Sequence, residues 1–137
     1  MSYTGSCACG TVTARVDAEP IAVRQCWCRQ CQKIAAGSGT TNAMFPTEAL
    51  TIEGELASTA YLAASGNTLT QSFCASCGTP VMGQSSARPQ FRSLRLGFLD
   101  EPHGLAPSIV IWTAEAPAWA HLDPALPQVE RQPPSIA

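Results

Sequence analysis

Charge is scarce in this sequence of 137 residues, and neither sign gathers into a run: eight Lys and Arg face ten Asp and Glu, giving a formal net charge of −2. A protein that grips a polynucleotide backbone or an anionic membrane needs a basic patch. Nucleic-acid and membrane partners are therefore not expected. No apolar stretch approaches the roughly 18 residues of a membrane span, and the opening Met1-Ser2-Tyr3-Thr4-Gly5 lacks the basic and apolar segments of a secretion signal. The expected location is the cytoplasm. Helical periodicity is missing too, since no stretch of ten residues repeats its apolar positions every 3.6 residues.

What the chain does have is a 45% hydrophobic composition, eleven prolines and ten glycines. A single domain of this length buries roughly 68% of its unfolded surface, enough for a core. Short apolar runs punctuated by Gly, Pro, Ser and Asn predict a mainly β, small single domain of antiparallel strands. The expected strands are 10–16, 40–45, 50–53, 59–63, 69–73, 80–83, 91–98 and 108–112. Ala64-Ser65-Gly66-Asn67 is the turn of a hairpin, and single helical turns are expected over 30–36 and 116–120. The domain is expected to span 1–126, followed by a Pro-rich tail, 127–137, that is extended or disordered.

Seven cysteines dominate the chemistry: Cys7-Ala8-Cys9, Cys26-Trp27-Cys28-Arg29-Gln30-Cys31 and Cys74-Ala75-Ser76-Cys77. An odd number cannot be fully paired as intrachain disulfides, and in a reducing compartment clustered thiols point to metal. A Cys-x-x-Cys loop places two sulfurs on one zinc at about 2.3 Å each, and two loops close a structural site. Cys7, Cys9, Cys74 and Cys77 as four ligands, with Cys26, Cys28 and Cys31 as three, leaves no cysteine idle. A ribbon of Cys28, Cys31, Cys74 and Cys77 fits the spacing as well, with Cys7 and Cys9 left over. A site with four protein ligands is closed, whereas one with three keeps a position for substrate. The three-sulfur cluster is therefore the candidate catalytic site.

The stretches Gly5-Ser6-Cys7-Ala8-Cys9-Gly10-Thr11-Val12, Cys26-x-Cys28-x-x-Cys31 and Phe73-Cys74-x-x-Cys77-Gly78-Thr79-Pro80, then Leu96-Gly97-Phe98-Leu99-Asp100 and Ala116-Pro117-Ala118-Trp119, together resemble one family. It is the glutathione-dependent formaldehyde-activating enzyme family, also called the Gfa or CENP-V-like family. The resemblance implies a β-tent fold with two zinc ions, a structural one on Cys7, Cys9, Cys74 and Cys77 and a catalytic one on Cys26, Cys28 and Cys31. It also implies a carbon-sulfur lyase that joins glutathione to formaldehyde as S-(hydroxymethyl)glutathione. Trp27 stands where many members carry His; a residue between two ligands points away from the metal, so zinc binding is expected to survive and the pocket to differ.

Three thiolates suit zinc to a soft ligand, so a substrate thiol, deprotonated there, could attack an aldehyde carbonyl. Arg24, Arg29 and Lys33 flank the cluster and are candidates for the carboxylates of glutathione, although flanking charges are more often solvated surface groups. His103 and His121 are left outside the site as surface residues. Trp112 and Trp119 are read as core residues before cleft residues. Gly78 is expected to take the positive φ that turns backbone N–H groups toward the sulfurs. The competing function is a non-catalytic zinc or thiol-binding module that sequesters glutathione or binds a partner.

Overall fold

The computed structural model describes residues 2–134. In chain order the strands are β1 (Tyr3–Ser6), β2 (Thr13–Val16), β3 (Ala22–Cys26), β4 (Thr40–Pro46), β5 (Leu50–Glu53), β6 (Leu56–Leu62), β7 (Thr68–Cys74), β8 (Pro80–Ser85), β9 (Phe91–Arg95) and β10 (Ile109–Ile111). One short helix, α1 (Arg29–Ile34), and single 3-10 turns at Thr47–Ala49 and Thr113–Glu115 complete the set. No helix among the described residues is long and apolar enough to cross a membrane.

The strands make two sheets, a three-stranded one ordered β1-β2-β5 and a seven-stranded one ordered β10-β3-β4-β9-β8-β7-β6. Side chains alternate between the faces of a strand, and β4 shows what that alternation achieves here. Ala43 and Phe45 are fully buried in a core shared with Val23 and Leu94 of the same sheet and with Tyr3 and Val16 of the other. Asn42 and Met44, on the opposite face, line a cavity. One face of the large sheet therefore holds the molecule together, at roughly 1.5–3 kcal/mol for each large apolar side chain buried, and the other carries a polar site. A second core of Val12, Ala14, Val81 and Phe98 packs around Cys7 and Cys74.

The chain passes between the sheets at the turn after β9. Ser6 N–H donates to the Phe98 carbonyl at 3.0 Å, and Leu99 bridges Gly5. Gly5 is needed there, because a Cβ would sit 2.6 Å from the Phe98 ring.

The mainly β expectation holds, with differences of detail that have physical causes. The large sheet is mixed, because β10 pairs with β3 in parallel. The expected strand 10–16 begins at Thr13, since residues 10–12 belong to a cysteine loop, and 91–98 ends at Arg95, where the chain turns toward β1. Strands β1 and β3 were not anticipated. The hairpin of β6 and β7 forms with Leu62 opposite Thr68. The helical turn expected over 116–120 lies earlier, at Thr113–Glu115, and Ala120 N–H closes a simple turn on the Pro117 carbonyl at 2.9 Å.

Beyond the last strand the chain runs alongside β10. Val110 N–H donates to the Pro127 carbonyl at 3.0 Å, and Val129 N–H donates back to Val110 at 2.9 Å. Trp112 Nε1 donates to Gln132 Oε1 at 3.0 Å, and the Arg131 guanidinium lies 5.9 Å from the Trp112 ring centre. Trp112 thus holds this segment, and residues 135–137 of the expected tail lie outside the described residues.

Candidate metal centre

The seven sulfurs gather into two groups, Cys7, Cys9, Cys74 and Cys77 in one and Cys26, Cys28 and Cys31 in the other, with the ligand atoms of each group within 4.8 Å of one another. All seven thiols are unpaired. Tetrahedral zinc with bonds of about 2.3 Å holds its sulfurs about 3.8 Å apart. In the first group Cys7 Sγ lies 3.6 Å from Cys9 Sγ, and Cys9 Sγ 3.8 Å from Cys74 Sγ. Both groups could hold metal ions, and their donors are compatible with zinc.

The four-sulfur group is built from two matching loops. Each reads Cys-Gly-Thr at its end, Cys9-Gly10-Thr11 and Cys77-Gly78-Thr79, and both glycines take φ 78°. That left-handed turn is open to glycine at little cost, and it lets each loop double back onto its first sulfur. Gly10 N–H donates to the Cys7 carbonyl at 3.0 Å and Gly78 N–H to the Cys74 carbonyl at 2.9 Å. Each threonine hydroxyl then sits 3.1 Å from the second sulfur of its loop. Ala8 N–H donates to Thr79 Oγ1 at 3.1 Å, joining the loops. The Thr79 hydroxyl first, then backbone N–H groups of Thr79 and Cys9, pull the Cys77 thiol down to about 5. A sulfur already inclined to ionise is prepared for a cation.

The three-sulfur group sits between the end of β3 and the start of α1. Cys28 caps the helix, its sulfur accepting from Cys31 N–H at 3.3 Å. Gln32 is buried and donates to the Trp27 carbonyl at 2.6 Å and the Glu115 carbonyl at 2.9 Å, while Glu115 Oε1 accepts from Arg29 N–H at 2.8 Å. These bonds fix the loop from behind. Hydrogen bonds from Cys26 and Cys31, then the N–H groups of Cys31 and Gln30, pull the Cys28 thiol down to about 3. Cys26, hydrogen-bonded to Cys28 and Cys31 and buried, is pushed far up. Ionisation of this cluster begins at Cys28.

Cys26 and Cys31 open onto a cavity of about 160 Å³ on the polar face of the large sheet. A chain of hydrogen bonds leads from the sulfur across it. Thr40 Oγ1 donates to Cys31 Sγ at 3.0 Å, and Asn42 Nδ2 donates to Thr40 Oγ1 at 3.0 Å. Arg95 donates through Nη1 to Asn42 Oδ1 at 2.6 Å and through Nη2 to Gln71 Oε1. Arg95 is buried, and its Nε has no partner among the described residues. Burial lowers its pKa, and the negative charge of Cys31 opposes that. Burial and the charges of Cys28 and Cys31 push Tyr61 up to about 12. The cluster thus faces a buried cation.

Arg24 lines this cavity, two residues before Cys26 on β3. Arg29 and Lys33 are exposed on α1 and do not line it. Trp27 is buried, with Nε1 donating to Gln25 Oε1 at 3.3 Å and its ring edge-on to the exposed Trp119, so it points away from the cavity. His103 differs from expectation: its side chain is only 6% exposed, and Nδ1 accepts from Leu105 N–H at 3.0 Å, which makes it a brace of its own loop. His121 is exposed. The residues that sequence reasoning missed are Thr40, Asn42, Tyr61, Gln71, Arg88 and Arg95.

The family model of the glutathione-dependent formaldehyde-activating enzyme matches residues 2–115. The crystal structure of a Rhodobacter sphaeroides protein is similar in fold, with a TM-score of 0.56 and 24% identity over 76% of this chain and 91% of that one. No curated protein is similar enough to match.

Proposed function

The chain belongs to the glutathione-dependent formaldehyde-activating enzyme family, and from that premise we propose that it adds a thiol, glutathione, to formaldehyde or a related small aldehyde at the three-sulfur centre. The observation that carries this is the placement of Cys26 and Cys31 at a polar cavity while the four-sulfur group is complete in itself. Cys26, Cys28 and Cys31 would hold zinc, which would supply a soft electrophilic position favouring the thiolate form of a bound thiol near neutral pH. Cys7, Cys9, Cys74 and Cys77 would hold the structural zinc.

The thiolate sulfur attacks the carbonyl carbon, a carbon–sulfur bond forms, the π pair moves to oxygen, and that oxygen takes a proton. The proton released by the thiol equals the one taken up, so no other reactant is needed; the reverse step is carbon–sulfur cleavage. Arg95 supports the step by opposing the negative charge of three thiolates. Thr40 fixes the Cys31 sulfur. Holding both reactants in the cavity adds proximity. Seven unpaired thiols suit a reducing compartment, and the cytoplasm is the location that fits this reading.

Because hemithioacetals also form unaided, the test is an initial-rate assay of glutathione with formaldehyde on the zinc-loaded chain. The rate is expected to rise in proportion to protein and to return to background with Cys28→Ser. A rate that never exceeds background while free glutathione falls would replace the lyase with a sequestering module.

A further inference from the structure

The cavity at the three-sulfur centre is lined by three guanidinium groups, those of Arg24, Arg88 and Arg95, and by no carboxylate. Arg95 is committed, since it donates to Asn42 and Gln71 and faces the thiolates. Arg24 and Arg88 are not. Neither side chain has an ion pair or a hydrogen bond among the described residues. Both are half-buried and line the same cavity. Two arginines on one cavity wall whose lining includes no carboxylate favour an anion.

Strand register fixes where those arginines stand. Arg24 is opposite Asn42, and Asn42 is opposite Arg95, while Cys26, two residues beyond Arg24, emerges on the same face. Arg88 reaches the cavity from the turn after β8, where its N–H is tied to the Ser85 carbonyl at 3.0 Å. A guanidinium presents paired N–H donors that match a carboxylate. We propose that Arg24 and Arg88 form a carboxylate subsite that selects, for the centre at Cys26, Cys28 and Cys31, a thiol bearing a negative charge remote from its sulfur. This rests on the thiol-binding function proposed above and adds to it the determinant of substrate class. It also separates the three arginines by role, Arg95 serving the centre and the other two the substrate.

The test is calorimetric titration of the zinc-loaded full chain with glutathione, with glutathione diethyl ester, whose carboxylates are masked, and with 2-mercaptoethanol. Glutathione is expected to bind roughly tenfold more tightly than the diester, the scale of one charge-assisted pair. Arg24→Gln and Arg88→Gln, confirmed to retain two zinc ions, should each remove most of that difference and leave diester affinity unchanged, and Arg24→Lys should restore part of it. Equal binding of glutathione and diester by the unaltered chain would overturn the subsite while leaving thiol binding intact. Loss of both affinities together in the Gln variants would also overturn it. Binding of none of the three thiols would overturn the thiol function itself, and the subsite with it.

Discussion

Arg95 gathers the polar face of the large sheet around one charge. Its partners Asn42 and Gln71 lie 53 and 24 residues away in sequence, so nothing in the local run Phe91-Arg92-Ser93-Leu94-Arg95 marks it as different from Arg92. Its space is made by Gly83, where a Cβ would meet Gln71 Oε1 at 3.2 Å and Arg95 Nη2 at 3.3 Å. Those atoms are the ends of side chains, so Gly83→Ala is expected to shift stability by less than about 1 kcal/mol. Glutathione affinity should nevertheless fall, because the guanidinium is displaced; a thermal melt beside a titration separates the two effects. Arg95→Gln should lower kcat/KM roughly 10²-fold, as loss of a preorganised charge does, with zinc content unchanged by atomic absorption. The cysteines were legible because their chemistry is fixed by residue type and spacing. The cavity lining was not, since ordinary polar residues acquire their role only when strands bring them together.

At the scale of elements, the cysteine loops and the β6–β7 hairpin were readable because each is closed by local bonds. Strand β3 escaped because Arg24 faces the polar cavity, which removes the apolar alternation that signals a strand. Strand β1 escaped because it is four residues long and contains Gly5, whose missing side chain is what lets Phe98 close over it. The loops also divide by task. Cys77→Ser breaks the four-sulfur centre and is expected to leave the chain unfolded at 25 °C, since structural zinc contributes on the order of 10 kcal/mol. Cys28→Ser should keep the native circular dichroism spectrum and lose thiol binding. Equal destabilisation by the two substitutions would contradict this division of the clusters.

For the whole molecule, the four-sulfur centre acts as a staple between the sheets. Cys7 follows β1 of the small sheet, and Cys74 ends β7 of the large one. Zinc at this centre would lock the two sheets that share the core, so its removal should loosen both. Its response to acid follows from Cys77. The folded chain holds that thiol at about 5, below the ordinary cysteine value of about 8.5. The stabilisation from its thiolate is therefore fully present above the ordinary value and is lost as pH falls through about 5. Zinc release followed with a chromogenic chelator should accordingly be slight at pH 7 and rise only once pH falls to about 5 and below; steep release near pH 8 would contradict the assigned cause.

The central claim is that the seven sulfurs divide into a closed four-ligand centre and an open three-ligand centre that takes a thiol. Native mass spectrometry of the intact chain, with and without glutathione, tests it most directly. The account predicts two zinc ions per chain and one glutathione added to that species, lost in Cys28→Ser. One zinc ion with no adduct, and Cys26, Cys28 and Cys31 open to alkylation, would contradict it.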